Sequence, residues 1–248
     1  MKLDQLIENA LVDTSKEAEL FAFLLETTLY VHAPMKPKSA KLSVVQFTTP
    51  QGVLAIPVFT DEQKAEFAGR GNVRTVAIQG RRLFAATLGA NVVINPNDAW
   101  CILYPEEIRA LLEGKILGRK PENVEINNEV KLRPANSPSA AFIDLLANSL
   151  ASTEHALDGW LTEADDDERV SAIKYVVVIA AALPHHERIA RSLTLALSDF
   201  GESLGRVVDI TFIEPGATHD AWLTGNSSCL IYRRSWLPSV RSGIYGNA

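Results

Sequence analysis

Residues 83–98 read LFAATLGANVVINPND, and this stretch carries the pattern that decides the fold. The pattern predicts a helix over 82–88 that Gly89 closes, followed by a strand over Asn91–Ile94. Asn95, Pro96 and the polar pair after them favour a turn, because Asn and Asp side chains bond to nearby backbone and Pro fixes φ. Helix, strand and turn in succession are typical of an α/β domain. We interpret the turn as structural and not catalytic.

The residues before this stretch continue the alternation of helices and strands. Apolar spacing predicts a helix over 3–12 and a second over 14–27, with Thr14 to Glu17 in the form of a capping box. The segments 29–34, 42–49 and 53–59 are β-rich, and Pro50-Gln51-Gly52 indicates a hairpin. A second capping box at Thr60 predicts a short helix that ends near Gly69, and 72–79 is predicted as a strand. Pro105 starts a helix that stops at Gly114.

A polar stretch divides the chain. Residues 115–137 combine charged residues, four Asn and two Pro with few large apolar side chains, and we interpret 119–136 as a linker. The sequence then predicts a helix after the Ser137-Pro138 cap, strands over 155–164 and 174–183, a helix over 184–200 and strands over 205–213 and 229–234. The predicted fold is therefore α/β (mixed α+β), with two consecutive mixed-sheet domains, 1–118 and 137–248, and helices packed on the sheets.

Composition narrows the class of function. The chain of 248 residues is 47% hydrophobic and carries a formal charge of −6, so it lacks the clustered basic charge that nucleic acid or anionic lipid would attract. Its most apolar run, 175–183, is nine residues long, whereas a bilayer requires about 20. The N-terminus lacks the apolar core of a secretory signal. We expect a cytoplasmic protein that binds neither nucleic acid nor membranes.

The strongest candidate for ligand binding is His185-His186-Glu187, directly after a buried strand. Open α/β sheets place ligands at the carboxyl ends of strands. Two His residues that share a metal normally lie at positions i and i+4, but Ile189 and Ala190 occupy that distance here. We therefore predict no metal and no cofactor. The same residues also suit the simpler role of satisfying the free amides at a helix start.

Other polar clusters do not form a catalytic set. Ser227, Ser228 and Cys229 with His219 and Asp220 are a local candidate for nucleophilic catalysis, but nothing in the sequence orients a base or an oxyanion donor. The run 165–168 lacks the alternating carboxylates of a calcium loop and is interpreted as a hairpin tip. No phosphate-binding glycine motif or nucleophile elbow is present. The cysteines, Cys101 and Cys229, lie 128 positions apart in apolar contexts and are predicted to be inert core thiols. We predict no catalytic residues.

The end of the chain is its most aromatic and basic part. These residues suit a surface that docks a protein partner, since aromatic and Arg side chains are enriched at interface centres. Packing of the rings into the core is the alternative. The candidate interaction surface comprises Trp222, Tyr232, Arg233, Arg234 and Trp236.

Several phrases of the sequence resemble the SseB family, named for enhanced serine sensitivity. In the first half they are LYV with its Pro, IPVFTDEQ, the helix ending in Gly, VINPND and YPEEIRALLEGK. The strand KYVVVIAAA with its following helix resembles the family's C-terminal domain. The resemblance covers about 4–118 and 127–238. It departs at His32-Ala33-Pro34 and Asn97-Asp98, which concern loop detail.

The resemblance implies a bacterial cytoplasmic protein of two α/β domains, and it brings no catalytic residues. Together with the residue patterns it leads us to expect a non-enzymatic binding or regulatory protein. Such a protein would act on an unknown protein partner or on a second copy of itself. The alternative is a sensor of a small molecule, such as an amino acid, that binds near His185 and His186. An enzyme is the third possibility, and it requires His185, His219 or Asp220 to converge with a nucleophile.

Overall fold

The computed structural model describes residues 3–13, 16–36, 43–97, 101–115, 131–165, 173–198, 200, 204–216, 223, 225 and 227–235. By packing, the chain divides into two compact units. The first comprises 1–47, 54–122 and 194–196, and the second 48–53, 123–193 and 197–248. Helices and two mixed sheets make up the described structure, which confirms the predicted fold class. No helix in these ranges is long and apolar enough to cross a bilayer.

The first sheet and its helices are built from the N-terminal part of the chain. Its helices are α1 (Leu3–Val12), α2 (Glu17–Glu26), α3 (Glu62–Gly69), α4 (Gly80–Ala86) and α5 (Pro105–Leu112). Its strands are β1 (Thr28–Pro34), β2 (Phe47–Thr48), β3 (Leu54–Phe59), β4 (Val73–Gln79), β5 (Asn91–Ile94) and β6 (Cys101–Leu103). The order is β4-β1-β3-β5-β6, with β2 paired to β3. Strands β3 and β5 are parallel, while β1 and β6 run antiparallel to their neighbours.

Side chains of α1, α2, α4 and α5 form the main core with one face of this sheet. The predicted stripe of Leu20, Phe21, Leu24 and Leu25 on α2 is buried in the main core, as sequence spacing requires. Helix α4 packs so close to α2 that a Cβ added at Gly80 would lie 1.8 Å from a backbone oxygen of α2. Glycine is therefore required at the start of α4, because no larger residue permits this approach.

Several predicted boundaries in this unit are displaced. The cap of α3 is Asp61, whose carboxylate accepts from the Lys64 amide at 2.8 Å, and not the predicted Thr60. Helix α4 begins two residues earlier than predicted, at Gly80, and the strand predicted over 42–49 is reduced to β2. Helix α2 begins at Glu17. The capping residue predicted for it, Thr14, lies outside the described residues. The predicted hairpin is confirmed, since Gly52 has φ of 82° and β2 pairs with β3.

The second sheet follows the predicted order of elements. Its strands are β7 (Leu132–Pro134), β8 (Asp158–Asp165), β9 (Ile173–Ala180), β10 (Val208–Ile213) and β11 (Leu230–Arg233). Two helices occur along the same part of the chain, α6 (Ala140–Ser152) and α7 (His186–Ser198). The sheet order is β10-β9-β8-β11, with β7 paired to β8. Strands β9 and β10 are parallel, and β8 runs antiparallel to β9, β11 and β7. The helix stripes bury Phe142, Leu146 and Leu150 of α6 with Ile189 and Leu193 of α7.

Here too local signals misplaced element ends. The N-cap of α6 is Ser139, which accepts from the Phe142 amide at 3.3 Å, and not the predicted Ser137, whose φ is 49°. The helix predicted from Pro184 begins with a 3-10 turn, Leu183–His185, and becomes α-helical only at His186. The first residue of the charged run predicted as a hairpin tip, Asp165, ends β8. Residues 166–172 lie outside the described residues.

A short strand lies inside the stretch predicted as a linker. Strand β7 pairs with β8, and the Glu163 carboxylate of β8 accepts from Arg133 Nε at 2.8 Å and from the Asn136 amide at 3.1 Å. Glu163 is buried, so these donors satisfy a carboxylate that would otherwise lack partners. Residues 132–134 therefore belong to the second sheet. The predicted domain limits themselves stay predictions.

Candidate functional site

The ends of four strands meet at one edge of the second sheet. Register pairs Ala180 at the end of β9 with Ile213 at the end of β10 and with Asp158 at the start of β8, which in turn pairs with Arg233 at the end of β11. The carboxyl ends of β9, β10 and β11 therefore lie together, beside the segment that leads into β8. We call this the carboxyl edge. It is the position at which α/β sheets most often bind ligands.

The predicted ligand residues lie at this edge but differ in what they contact. The His186 ring bonds to the Ala181 carbonyl at 2.7 Å and stacks on Phe212 at 4.2 Å between ring centroids. Glu187 is exposed. His185 stacks on the ring of His155 with centroids 3.5 Å apart and planes 9° from parallel. His185 thus contacts a second titratable group, His155. His186 instead contacts the Ala181 carbonyl and the Phe212 ring.

Glu154 precedes His155 in the segment between α6 and β8. Its side chain has no exposed surface, and its Oε2 lies 3.7 Å from His155 Nε2. Burial raises the pKa of the Glu154 carboxyl; the Thr49 hydroxyl, also in the second unit, and the charges of Arg234 and Arg188 oppose that rise. Neither carboxylate oxygen accepts a hydrogen bond of normal geometry from the described residues.

The two stacked imidazoles are neutral at neutral pH. Burial first, and then the nearby His185, Arg234 and Arg188, together lower the pKa of His155 to about 4. The pKa of His185 is also lowered, by burial first and then by His186. A neutral imidazole has one nitrogen that accepts a hydrogen bond. The pair therefore offers acceptor nitrogens and flat aromatic faces, without positive charge.

The predicted interaction surface is only partly described. Trp222 and Trp236 lie outside the described residues. Tyr232 is half-buried and packs against the core of the second unit, with the Arg234 guanidinium 5.6 Å from its ring centroid. Arg233 is exposed and bonds to Asp158 at 2.9 Å. These contacts give the three residues a place in the carboxyl edge, and a role in partner binding stays a prediction.

Arg234 holds the end of α6 in place. Its guanidinium donates to the carbonyls of Leu150 and Thr153, and its Nε donates to Ala156 at 2.8 Å. These carbonyls belong to the last turn of α6 and the residues after it, where the helix leaves acceptors unpaired and favours positive charge. Arg234 therefore fixes the backbone that carries Glu154 and His155.

Other sequence candidates do not assemble in the described structure. His219 and Asp220 lie outside the described residues, so the predicted nucleophile cluster is not tested. Cys229 is fully buried, and burial raises the pKa of its thiol, as expected for an inert core cysteine. Within the ranges that the structure describes, no group of three or more His, Cys, Asp or Glu side chains has the geometry of a metal site.

Sequence reasoning missed Glu154 and His155. They lie between α6 and β8, far along the chain from His185, and no motif spacing links the two segments. Register brings them together, because β8 runs antiparallel to β9 and so starts where β9 ends. Adjacent acidic and imidazole residues just before a predicted strand were the available signal.

The Asn-Pro turn of the first unit is structural, as predicted. Asn95 has φ of 49°, and its Oδ1 accepts from the Thr60 amide at 3.1 Å. The backbone amide of Asn95 donates to the Val58 carbonyl at 2.8 Å. The turn therefore ties the end of β5 to the connection between β3 and α3.

The first unit is an α/β domain with a mixed sheet and helices packed against it, and comparison with known families assigns it. Residues 3–110 match the family described as SseB protein N-terminal domain. Residues 3–110 thus carry an SseB N-terminal domain, as the sequence phrases of this half predicted. The match ends at residue 110, before the strands of the second sheet, so the resemblance of 127–238 to the SseB C-terminal domain stays a prediction. Neither the curated proteins nor the solved structures gave a match.

Proposed function

We propose that this protein, which carries an SseB N-terminal domain, is a non-enzymatic binding protein that acts through contacts with a protein partner in the cytoplasm. The observation that supports this function is Phe67 on α3, whose side chain is 78% exposed. Full burial of a Phe side chain contributes about 1.5 to 3 kcal/mol of free energy. Most of the Phe67 side chain is not buried in the first unit, so most of this stabilisation is available to a partner that covers it. Aromatic side chains of this kind are the usual anchors of protein interfaces.

Recovery of partners from cytosol tests this function. The wild-type chain is compared with Phe67→Ser, which removes the anchor without touching the core. Leu88→Ser is the matched control, because Leu88 is also apolar and 52% exposed in the same unit. We expect Phe67→Ser to reduce recovery of a specific partner, or of a second copy of the chain, by at least about tenfold, the equivalent of 1.4 kcal/mol. Equal recovery by both variants would remove Phe67 as the anchor. Repeated failure of the wild type to recover any partner would overturn the function.

A second candidate function is sensing of a small molecule at the carboxyl edge. The supporting observation is the convergence of Glu154, His155 and His185, since perturbed titratable groups cluster at functional sites. Thermal unfolding with a panel of amino acids tests it. A ligand at 100 times its dissociation constant stabilises the folded chain by about 2.7 kcal/mol. The absence of any shift across the panel would count against an amino-acid sensor and leave the protein-contact function intact.

A further inference from the structure

Glu154 lacks the hydrogen bonds that its burial requires. Its side chain has no exposed surface, and neither oxygen has a hydrogen-bond partner of normal geometry among the described residues. A buried polar group without such partners is costly, and a buried carboxylate is normally paired. Glu163 in the adjacent strand shows the usual arrangement, with donors from Arg133 and Asn136. Glu154 does not have such donors in the part of the chain that the structure describes, and it lies at the position where α/β sheets bind ligands.

Neighbouring groups leave the carboxylate available to a cation. His155, the nearest, is neutral at neutral pH, because its pKa is about 4. Arg234 already donates to the backbone carbonyls at the end of α6. Burial raises the pKa of Glu154, and the Thr49 hydroxyl and the charges of Arg234 and Arg188 oppose that rise. The carboxylate therefore presents acceptor oxygens, flanked by the acceptor nitrogens of two neutral imidazoles.

We propose that Glu154 anchors a small ligand that carries a protonated amine, with the stacked rings of His155 and His185 beside it. An ammonium group supplies three donors for the oxygens of this carboxylate. A neutral imidazole nitrogen can also accept a hydrogen bond from such an amine. An anionic group would meet repulsion from Glu154. This inference rests on the small-molecule candidate and not on the protein-contact function.

His155 is the gate in this proposal. Its side chain is 27% exposed, while Glu154 behind it has no exposed surface. Its ring stacks on His185 and lies 3.7 Å from Glu154, beyond the range of a hydrogen bond. We expect the amine to bind as His155 turns away from His185. The ring signals of both residues should then respond to the ligand.

Calorimetric titration with simple probes tests the class of ligand. Ethanolamine and putrescine supply the amine, acetate and inorganic phosphate supply an anion, and ethylene glycol is the neutral probe. We expect the wild type to bind the amines alone. Glu154→Gln should weaken amine binding by at least about tenfold, since a hydrogen bond to a charged group is lost. Glu19→Gln should bind as the wild type does, because Glu19 is an exposed residue of α2 in the first unit.

The outcomes separate the ligand class from the sensing function. Binding of acetate or phosphate without the amines would overturn the amine and leave a small-molecule site. Absence of binding by every probe would overturn the proposed site. If Glu154→Gln does not fold, histidine ring resonances of the wild type decide. Selective shifts of His155 and His185 with amine support the proposal, and unchanged shifts overturn it.

Discussion

At the residue scale, two adjacent arginines show that the contribution of a charged side chain to stability depends on its surroundings. Arg233 is exposed and bonds to Asp158 at the surface, whereas Arg234 turns inward to the carbonyls that end α6. Surface ion pairs contribute about 0 to 1 kcal/mol, while a charged hydrogen bond to a helix end contributes more. The sequence presents the two as equivalent, and the helix end that distinguishes them lies far away along the chain.

We expect Arg234→Leu to lower the free energy of unfolding by roughly 2 to 3 kcal/mol, because several carbonyls lose their charged donor. Arg233→Leu is the matched control and should cost less than about 1 kcal/mol. Urea unfolding of the two variants measures the difference. Equal losses would show that Arg234 does not hold the end of α6.

The stacked histidines predict a dependence of stability on pH. The pKa of His155 falls from 6.5 to about 4 on folding. Between these pH values the imidazole is protonated in the unfolded chain and neutral in the folded chain. The stabilisation is present above pH 6.5 and is lost as pH falls toward about 4. The shift is equivalent to roughly 3 kcal/mol at most, and partial exposure reduces it.

His155→Phe tests this dependence, because Phe keeps a flat ring on His185 but cannot take up a proton. We expect the loss of unfolding free energy between pH 7 and pH 4 to be smaller in the variant than in the wild type. Glu154 acts in the opposite direction, since its raised pKa favours the folded state at low pH, and it is common to both chains. Parallel pH profiles of the two chains would contradict the assignment.

At the element scale, tertiary bonds decide where helices and strands begin. Thr60 and Asp61 are both good N-cap residues, and local sequence favoured Thr60. Thr60 instead donates to Asn95 at the end of β5, and Asp61 caps α3. The order of elements was predictable from periodicity, but the exact caps were not, because a distant Asn selects between two adjacent candidates.

Substitution of Asn95 tests the turn that joins β5 to the start of α3. Asn95→Ala should cost about 2 kcal/mol, because it removes the bond to Thr60 and places Ala at positive φ. Glycine adopts the positive φ of this position without strain, so Asn95→Gly should lose only the hydrogen bond to Thr60. Thermal unfolding ranks the variants. A greater loss for Gly than for Ala would contradict the role of the backbone conformation.

Strand β7 depends on one buried carboxylate. Burial alone would raise the pKa of Glu163, but the hydrogen bonds from Arg133 and Asn136 and the charges of Arg133 and Arg206 lower it overall. We expect Glu163→Gln to cost roughly 1 to 3 kcal/mol and to speed hydrogen exchange of the β7 amides. Exchange in β10, at the far edge of the sheet, is the internal control. Unchanged exchange in β7 would show that pairing to β8 suffices.

At the scale of the whole molecule, the sequence predicted two mixed α/β sheets but not their strand orders. Alternating helices and β-rich segments identify the fold class, because each element needs a partner to bury its apolar face. The pairing of β8 with both β9 and β11 depends on contacts between distant segments, and local pattern does not encode them. The same pairing creates the carboxyl edge, so the site was predictable only at His185 and its neighbours.

The central claim is that the protein acts through a partner that covers Phe67. Photo-crosslinking in cytosol tests it most directly, with a benzophenone side chain placed at position 67 or, as the control, at position 88. We predict a discrete crosslinked product, either a partner or a second copy of the chain, from position 67 and none from position 88. No product from position 67, or the same products from both positions, would contradict the claim.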